Sequence, residues 1–232
     1  GDVAARPNGD GSVTTTDVIQ LRRFAAQLDI PAPGNEKQRA DCAPFSTFGD
    51  GNVTSADVIQ GRRFAATLDP LTPTGGPLRP GVIASLIDDV YAYFFGREIK
   101  VGSAKTDGGQ VTVPVELTPN GDEMAAGFTL EYDASRLSNP RIVLGDAGGE
   151  GSILTVNTNE PGRIGIIVDG DQPMAASSTP KSIVIVTFDL MTDTDGPTSI
   201  TLTDSLAMRS VANINGDPIS VQFKNSDVQI AR

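Results

Sequence analysis

The stretch "DGSVTTTDVIQLRRFAAQLD" at residues 10–29 decides how the front of this chain is read, because "DGNVTSADVIQGRRFAATLD" at residues 50–69 repeats it. Of the 20 aligned positions, 15 are identical. Shared secondary structure alone does not reproduce residue identity at that level, so a unit has been duplicated. Two copies are too few for a solenoid and are expected to close on each other as a pair.

Each copy reads as a loop followed by a helix. Val18, Leu21, Ala25 and Leu28, with Phe24 beside them, recur at helical spacing and are expected to face a core. The second copy offers Val58, Phe64, Ala65 and Leu68, with Gly61 where the first has a leucine. Gly9, Gly11 and Ser12 suit a tight turn, and Pro31 and Pro70 are expected to end the two helices.

The loops carry the chemistry. Asp10, Gly11, Ser12, Thr14 and Asp17 follow the spacing of the second half of an EF-hand calcium loop. Calcium takes six to eight oxygens, so such a loop alternates carboxylates and carbonyls on a sharply turned backbone. Gly11 supplies the turn, the Ser12 carbonyl points inward, Asp17 takes the last ligand position, and Asn8 the third. The first position falls on Arg6, but looping out residues 4–7 brings Asp2 into that place. The second copy repeats the arrangement with Asp50, Gly51, Asn52, Thr54 and Asp57. There Asp41 takes the place of Asp2, and Phe48 replaces Asn8, so this loop has one ligand fewer and reads as the weaker site. The same acids also fit helix N-caps and turns. Their recurrence at one spacing in both copies favours two calcium ions.

These residues resemble the dockerin module of cellulosomes and related bacterial surface systems, over residues 1 to about 72. The resemblance rests on the duplication, the "DG.VT..D" core and the paired basic residues. It implies two EF-hand-like calcium loop-helix units in antiparallel pseudo-symmetry, and a cohesin partner read from the solvent face of the helices. On that face lie Thr15, Thr16, Ile19, Arg22, Arg23 and Ala26, and in the second copy Ser55, Ile59, Arg62, Arg63 and Ala66. Arginine and apolar anchors dominate interfaces; a plain solvated helix face is the other reading.

Residues 70–80, "PLTPTGGPLRP", read as a linker. In "GVIASLIDDVYAYFF", Val82, Ile83, Leu86, Ile87, Val90, Tyr91, Phe94 and Phe95 pair up every four residues, the mark of an amphipathic helix packed between two modules. From residue 97 the texture turns to β. "QVTVPVEL", "GFTLEYD", "RIVLG", "SILTVNT", "RIGIIVD", "KSIVIVTFDL", "TSITLT", "ISVQF" and "DVQIA" are short runs rich in Val, Ile, Thr and Phe, bounded by turn residues. They predict a β-sandwich with Greek-key or jelly-roll wiring. "VTVPVEL" at 111–117, "GFTLEYD" at 127–133, "GRIGIIV" at 162–168 and "IVIVTFDL" at 183–190 resemble, in that order, the strands of cohesin modules. The fold class is therefore multidomain α + β: a small all-α duplicated module at 1–72, a connector at 73–96 and an all-β jelly-roll sandwich at 97–232.

Composition limits function. The chain holds no histidine and one cysteine, which removes Ser-His-Asp and Cys-His nucleophiles, His-bound zinc and any intrachain disulfide. Cys42 is expected to be a small buried filler. A net charge of -11 argues against nucleic acid and anionic membrane surfaces as partners, and no apolar run reaches the ~18 residues of a membrane helix. The back half has no Trp, one Tyr and three Phe, so sugar stacking on exposed rings is a weak reading. "DGD" at 169–171 and "DTDG" at 193–196 read as acidic turns, with cation binding as the alternative. No pair of acids is spaced for catalysis, so no enzyme is expected. The chain opens at Gly1 directly into the first copy, as a processed secreted protein would.

The front 80 residues hold 8 basic and 9 acidic groups, net -1, and the remainder 10 and 20, net -10. Two calcium ions would turn the front to about +3, complementary to the back half of another copy. The sequence thus points to calcium-dependent, non-catalytic attachment outside the cell, with other copies of the chain or a cohesin or dockerin protein as partner. A rigid spacer would keep the front off its own sandwich, and head-to-tail contact would then build a fibre. The alternative is a carbohydrate-binding or adaptor protein tethered by its dockerin-like part to a surface or complex.

Overall fold

The computed structural model describes residues 1–72, 97–149, 151–191 and 196–230. The amphipathic stretch at 82–95, the linker beyond residue 72 and most of "DTDG" lie outside the described residues.

The front third is built on two helices of equal length, α1 (Thr15–Ala25) and α3 (Ser55–Ala65), with a one-turn α2 (Glu36–Ala40) and a 3-10 turn at Phe45–Thr47 between them. Both long helices start in the same way. Thr14 and Thr54 are the N-caps, and Asp17 and Asp57, three residues on, return bonds to the cap backbone. This reciprocal box satisfies backbone donors that a helix start leaves bare. The helices stop at Ala25 and Ala65, five or more residues before the prolines that the sequence suggested as terminators. The stop is a left-handed residue, Gln27 at φ 51° and Thr67 at φ 56°. It lets the Leu28 and Leu68 amides donate to the Arg23 and Arg63 carbonyls.

The repeats pair through α1 and α3. Val18, Leu21, Phe24 and Ala25 are buried and meet Val3, Ala40 and Val58 in one apolar cluster. Gly61 explains itself here. A Cβ at that position would lie 2.3 Å from Leu21 Cδ1, so one copy needs leucine and the other needs nothing where they cross. Leu68 departs from the expected core stripe and is 66% exposed. Cys42 is a buried free thiol, and burial pushes its pKa up to about 12.

The rest is a two-sheet β-sandwich. The strands are β1 (Glu98–Val101), β2 (Lys105–Asp107), β3 (Gln110–Leu117), β4 (Ala125–Tyr132), β5 (Leu137–Leu144), β6 (Ile153–Asn157), β7 (Arg163–Asp169), β8 (Lys181–Leu190), β9 (Gly196–Thr203), β10 (Ser210–Ala212), β11 (Gln222–Lys224) and β12 (Ser226–Ile230). One sheet runs β11-β1-β3-β8-β5 with β2 on β3; the other runs β12-β9-β4-β7-β6 with β10 on β4. Among the described residues all strand pairings are antiparallel except β1 with β11. Between the sheets lie Val113, Phe128, Leu130, Ile164, Ile166, Val186 and Phe188, all at most 1% exposed.

The two sheets differ in burial. Along β3 buried and partly exposed residues alternate, as in a sheet with one wet face. In β4 the first six residues are all buried, and in β7 all but the first. Both faces of β4 and β7 are covered, and what covers the outer one is the front repeat of the same chain. The expectation that a spacer keeps the front off its own sandwich is thereby corrected: α3 packs on β4, β7 and β10. The outer face presents Ala125, Gly127, Ala207 and Ala212, small residues that let the helices come close.

Candidate functional site

The loops come first, because they hold the helices. Asp2 and Asp41, thirty-nine residues apart in sequence, occupy equivalent places. Asp2 accepts from the amides of Asp10 and Gly11 at 3.0 Å each, and Asp41 from those of Asp50 and Gly51 at 2.8 and 2.7 Å. A glycine makes room each time. A Cβ at Gly9 would lie 2.3 Å from Asp2 Oδ1 and one at Gly49 2.3 Å from Asp41 Oδ1, both at positive φ. Asp10 and Asp50 close the same short turn on the amides of Ser12 and Asn52. Asp2 and Asp41 thus pin the turn at the start of each loop through the backbone.

The last carboxylates are used differently from a free ligand. Asp17 Oδ1 accepts from the Val3 and Ala4 amides at 2.8 Å each, and Oδ2 from the Thr14 amide and hydroxyl at 2.9 and 3.1 Å. Asp57 repeats this with Cys42, Ala43 and Thr54. Four donors use up the acceptor sites of one carboxylate, so Asp17 and Asp57 bolt the loops to the helix starts. Among the described residues no three acidic or cysteine side chains converge to hold a metal ion. In kind, the oxygen-only side chains of the two loops suit a hard cation. Burial pushes Asp41 up to about 6 and Asp57 up to about 8. Asn8 and Ser12 are exposed, as is the first loop in general, whereas Gly51 and Asp41 of the second loop are buried.

The paired arginines divide their work. Arg23 folds back on Asp29 at 2.6 and 3.0 Å, and Arg63 on Asp69 at 2.7 and 3.0 Å. Gln20 and Gln60 join the same carboxylates at 2.9 and 2.8 Å. Beside Arg23, Asp29 is held down at about 2. The first arginine of each pair leaves the repeat. Arg22 grips Asp169, at the end of β7, with two parallel bonds of 2.9 and 2.8 Å, and Arg62 reaches the same carboxylate at 2.9 Å. Arg62 also bonds the Gly170 carbonyl at 2.7 Å and pairs with Asp171. Asp169 is fully buried between the two guanidinium groups, and Asp171, 62% exposed, balances the second of them at the rim of the contact.

Apolar and neutral contacts extend from this clamp. Ile59 and Ala56 pack with Met124, Ala125 and Ala212; Leu21, Phe24 and Ala26 pack with Ile167 and Ala207. Ser55 and Ser210 hydroxyls lie 2.9 Å apart. Asn157 donates to the Ala26 and Gln27 carbonyls at 2.9 and 3.1 Å and so caps the bare end of α1. Arg63 adds a bond to the Ile214 carbonyl at 3.0 Å.

The face read from sequence is thus brought together in one half only. Ser55, Ile59 and Arg62 are pressed on the sheet, while Thr15, Thr16 and Arg23 are exposed and Ile19 is 50% exposed. Of the first copy's face, Arg22 and Ala26 cross over. Of the receiving residues, Asp169 reads from sequence only as part of the acidic turn "DGD", with a cation as the alternative, and its charge is met instead by Arg22 and Arg62; Asn157, Ser210, Ile167 and Ala207 do not stand out. A signal existed for some of them. "RIGIIVD" is apolar without alternation, which marks a strand covered on both faces, and the acidic turn "DGD" ends it.

No protein-family model matches the sequence, and no curated protein matches it. Solved structures do. A chain from a crystallised complex of CaDoc0917 with CaCohA2, the latter from Clostridium acetobutylicum, is 20% identical over 58% of this chain and 99% of that one, with a TM-score of 0.50. The sandwich has a cohesin-like fold. The seventh ScaB type I cohesin of Pseudobacteroides cellulosolvens is 20% identical over 58% and 92% of the two chains, with a TM-score of 0.48. A non-cellulosomal cohesin from the archaeon Archaeoglobus fulgidus is 17% identical over 59% and 91%, with a TM-score of 0.47.

Proposed function

We propose that this protein is a non-catalytic attachment protein in which the duplicated helix pair is the plug and the sheet β9-β4-β7-β6, with β10, is the socket. The observation that carries this reading is the clamp of Arg22 and Arg62, one from each repeat, on the single buried carboxylate of Asp169. A buried ion pair adds little stability over an apolar contact, whereas a charge met by the equivalent arginine of both repeats fixes their orientation on the sheet, as a recognition surface requires. The sandwich is similar to a chain from the crystallised complex of CaDoc0917 with CaCohA2, and the front repeat resembles a dockerin in sequence.

The attachment is made between copies by exchange of this contact, plug of one chain onto socket of the next. Such a heterologous contact closes into a ring or runs on as a filament. The front third folds around calcium held by Asp2, Asn8, Asp10, Ser12 and Thr14 in the first loop and Asp41, Asp50, Asn52 and Thr54 in the second, with Asp17 and Asp57 bracing the loops rather than ligating, and the protein works outside the cell. Electron microscopy and light scattering on concentrated protein test this. Rings or filaments in millimolar calcium that fall apart in chelator support the proposal. Particles of one chain, 24.2 kDa, at every concentration up to the solubility limit overturn self-assembly.

A further inference from the structure

The exchange contact has a competitor inside each molecule. Every group the plug uses is already spent on the socket of its own chain: Ser55 and Gln60 are 0% exposed, Ile59 2%, and on the sheet Ala125, Ile167, Asp169 and Ala207 are 0% exposed. The anchors span the whole face. Asp169 holds both repeats at the end of β7, Ser210 holds Ser55 on β10, and Asn157 holds the end of α1 on β6. A partner cannot enter at one edge without lifting one of these.

We infer that the docked front repeat shields the attachment sheet, so that each chain is a latent subunit and a second copy binds only by displacing the contact made in cis. This rests on the attachment reading above. The chain joins Thr72 to Arg97 without a break, so the plug is never far from its own socket. A tether of this kind sets an effective concentration on the order of millimolar. A free copy at ~10 µM then competes at a disadvantage of about a hundredfold, and attachment proceeds where subunits are crowded.

Two variants open the subunit from opposite sides. Asp169→Lys blocks the socket and leaves the plug free; Arg22→Glu with Arg62→Glu blocks the plug and leaves the socket free. Mixed at ~10 µM, a concentration well below the tether's, the two variants should form a one-to-one complex of twice the chain mass. The wild-type protein should bind either variant more weakly by the ratio of the tether's effective concentration to the Kd of the variant pair, about a hundredfold for a Kd of ~10 µM. Wild-type binding within tenfold of the variant pair overturns the shielding and leaves the attachment reading standing. Variants that are folded but do not bind each other overturn the attachment reading itself. Should either variant fail to fold, the full wild-type chain is cut at a protease site inserted between Gly75 and Gly76. Exchange of the front repeat with labelled copies should rise about a hundredfold on cutting; an unchanged exchange rate overturns the shielding.

Discussion

Replacing Asp169 by alanine should release the front repeat while leaving the sandwich folded. The carboxylate is 0% exposed and accepts two bonds from Arg22 and one from Arg62. Arg62 keeps Asp171 and the Gly170 carbonyl after the change. Arg22 keeps no anion, and its side chain is only 11% exposed. Removing one member of a buried ion pair costs about 3–5 kcal/mol. With one of the two arginines still served, the lower end applies, about 3 kcal/mol or roughly a hundredfold in the docking equilibrium. The assay is hydrogen exchange at the Leu206 and Ala207 amides, which donate to Thr129 beneath the helices. Their exchange should quicken by about that factor, while β3 and β8 on the opposite sheet serve as the unchanged reference. Arg22→Ala added to Asp169→Ala should then cost little more, because the partner is already gone. A change below threefold, or single effects that simply add in the double variant, would refute the clamp.

Other outcomes follow from the same contacts. Ile59→Asp should cost several kcal/mol of docking, because it buries a charge against Met124 and Ala125, whereas Ile19→Asp at a half-exposed position should stay within about 0.5 kcal/mol; equal losses in a docking assay would contradict the asymmetry. Gly61→Leu should destabilise the front repeat by about 1–3 kcal/mol in thermal melts, since its Cβ would lie 2.3 Å from Leu21 Cδ1, and Leu21→Ala in the same chain should recover part of the loss. Asp29, held down at about 2 beside Arg23 and Gln20, stabilises the fold above its unfolded value and loses that contribution as pH falls through 2; the gap between wild type and Asp29→Asn should be about 1–2 kcal/mol at pH 6 and should close in melts between pH 5 and 2. Calcium at 100 times its Kd should add about 2.7 kcal/mol to the front repeat; a melt unchanged by excess chelator would remove calcium from the account.

Much of the architecture is legible in the sequence. Identity between the two copies implied a helix pair, and the alternation in "QVTVPVEL" gave β3 to the residue. β1, β2 and β10 were not legible, since three or four residues carry too little periodicity to stand out. The helix ends were misread because proline is the visible stop, whereas the physical stop is a left-handed Gln27 or Thr67, types that carry no such signal. The candidate site was half legible. Arg22, Arg62, Ser55 and Ile59 stood out by repetition, but repetition also promoted Ile19 and Arg23, which the pairing of unequal environments leaves in solvent. Asp169 and Asn157 could not be weighed, because a carboxylate at a strand end looks the same whether water or two arginines face it.

The most direct test joins the two halves covalently. Ser55→Cys and Ser210→Cys place two thiols where the hydroxyls lie 2.9 Å apart, while Cys42 remains buried. Under mild oxidation of the full chain, peptide mapping should find a disulfide between positions 55 and 210 in nearly every molecule, within single chains in dilute protein and between chains where the protein has assembled. Free thiols at both positions after oxidation, in dilute and in concentrated protein alike, would contradict the docking of the helix pair on the sheet and with it the account of attachment.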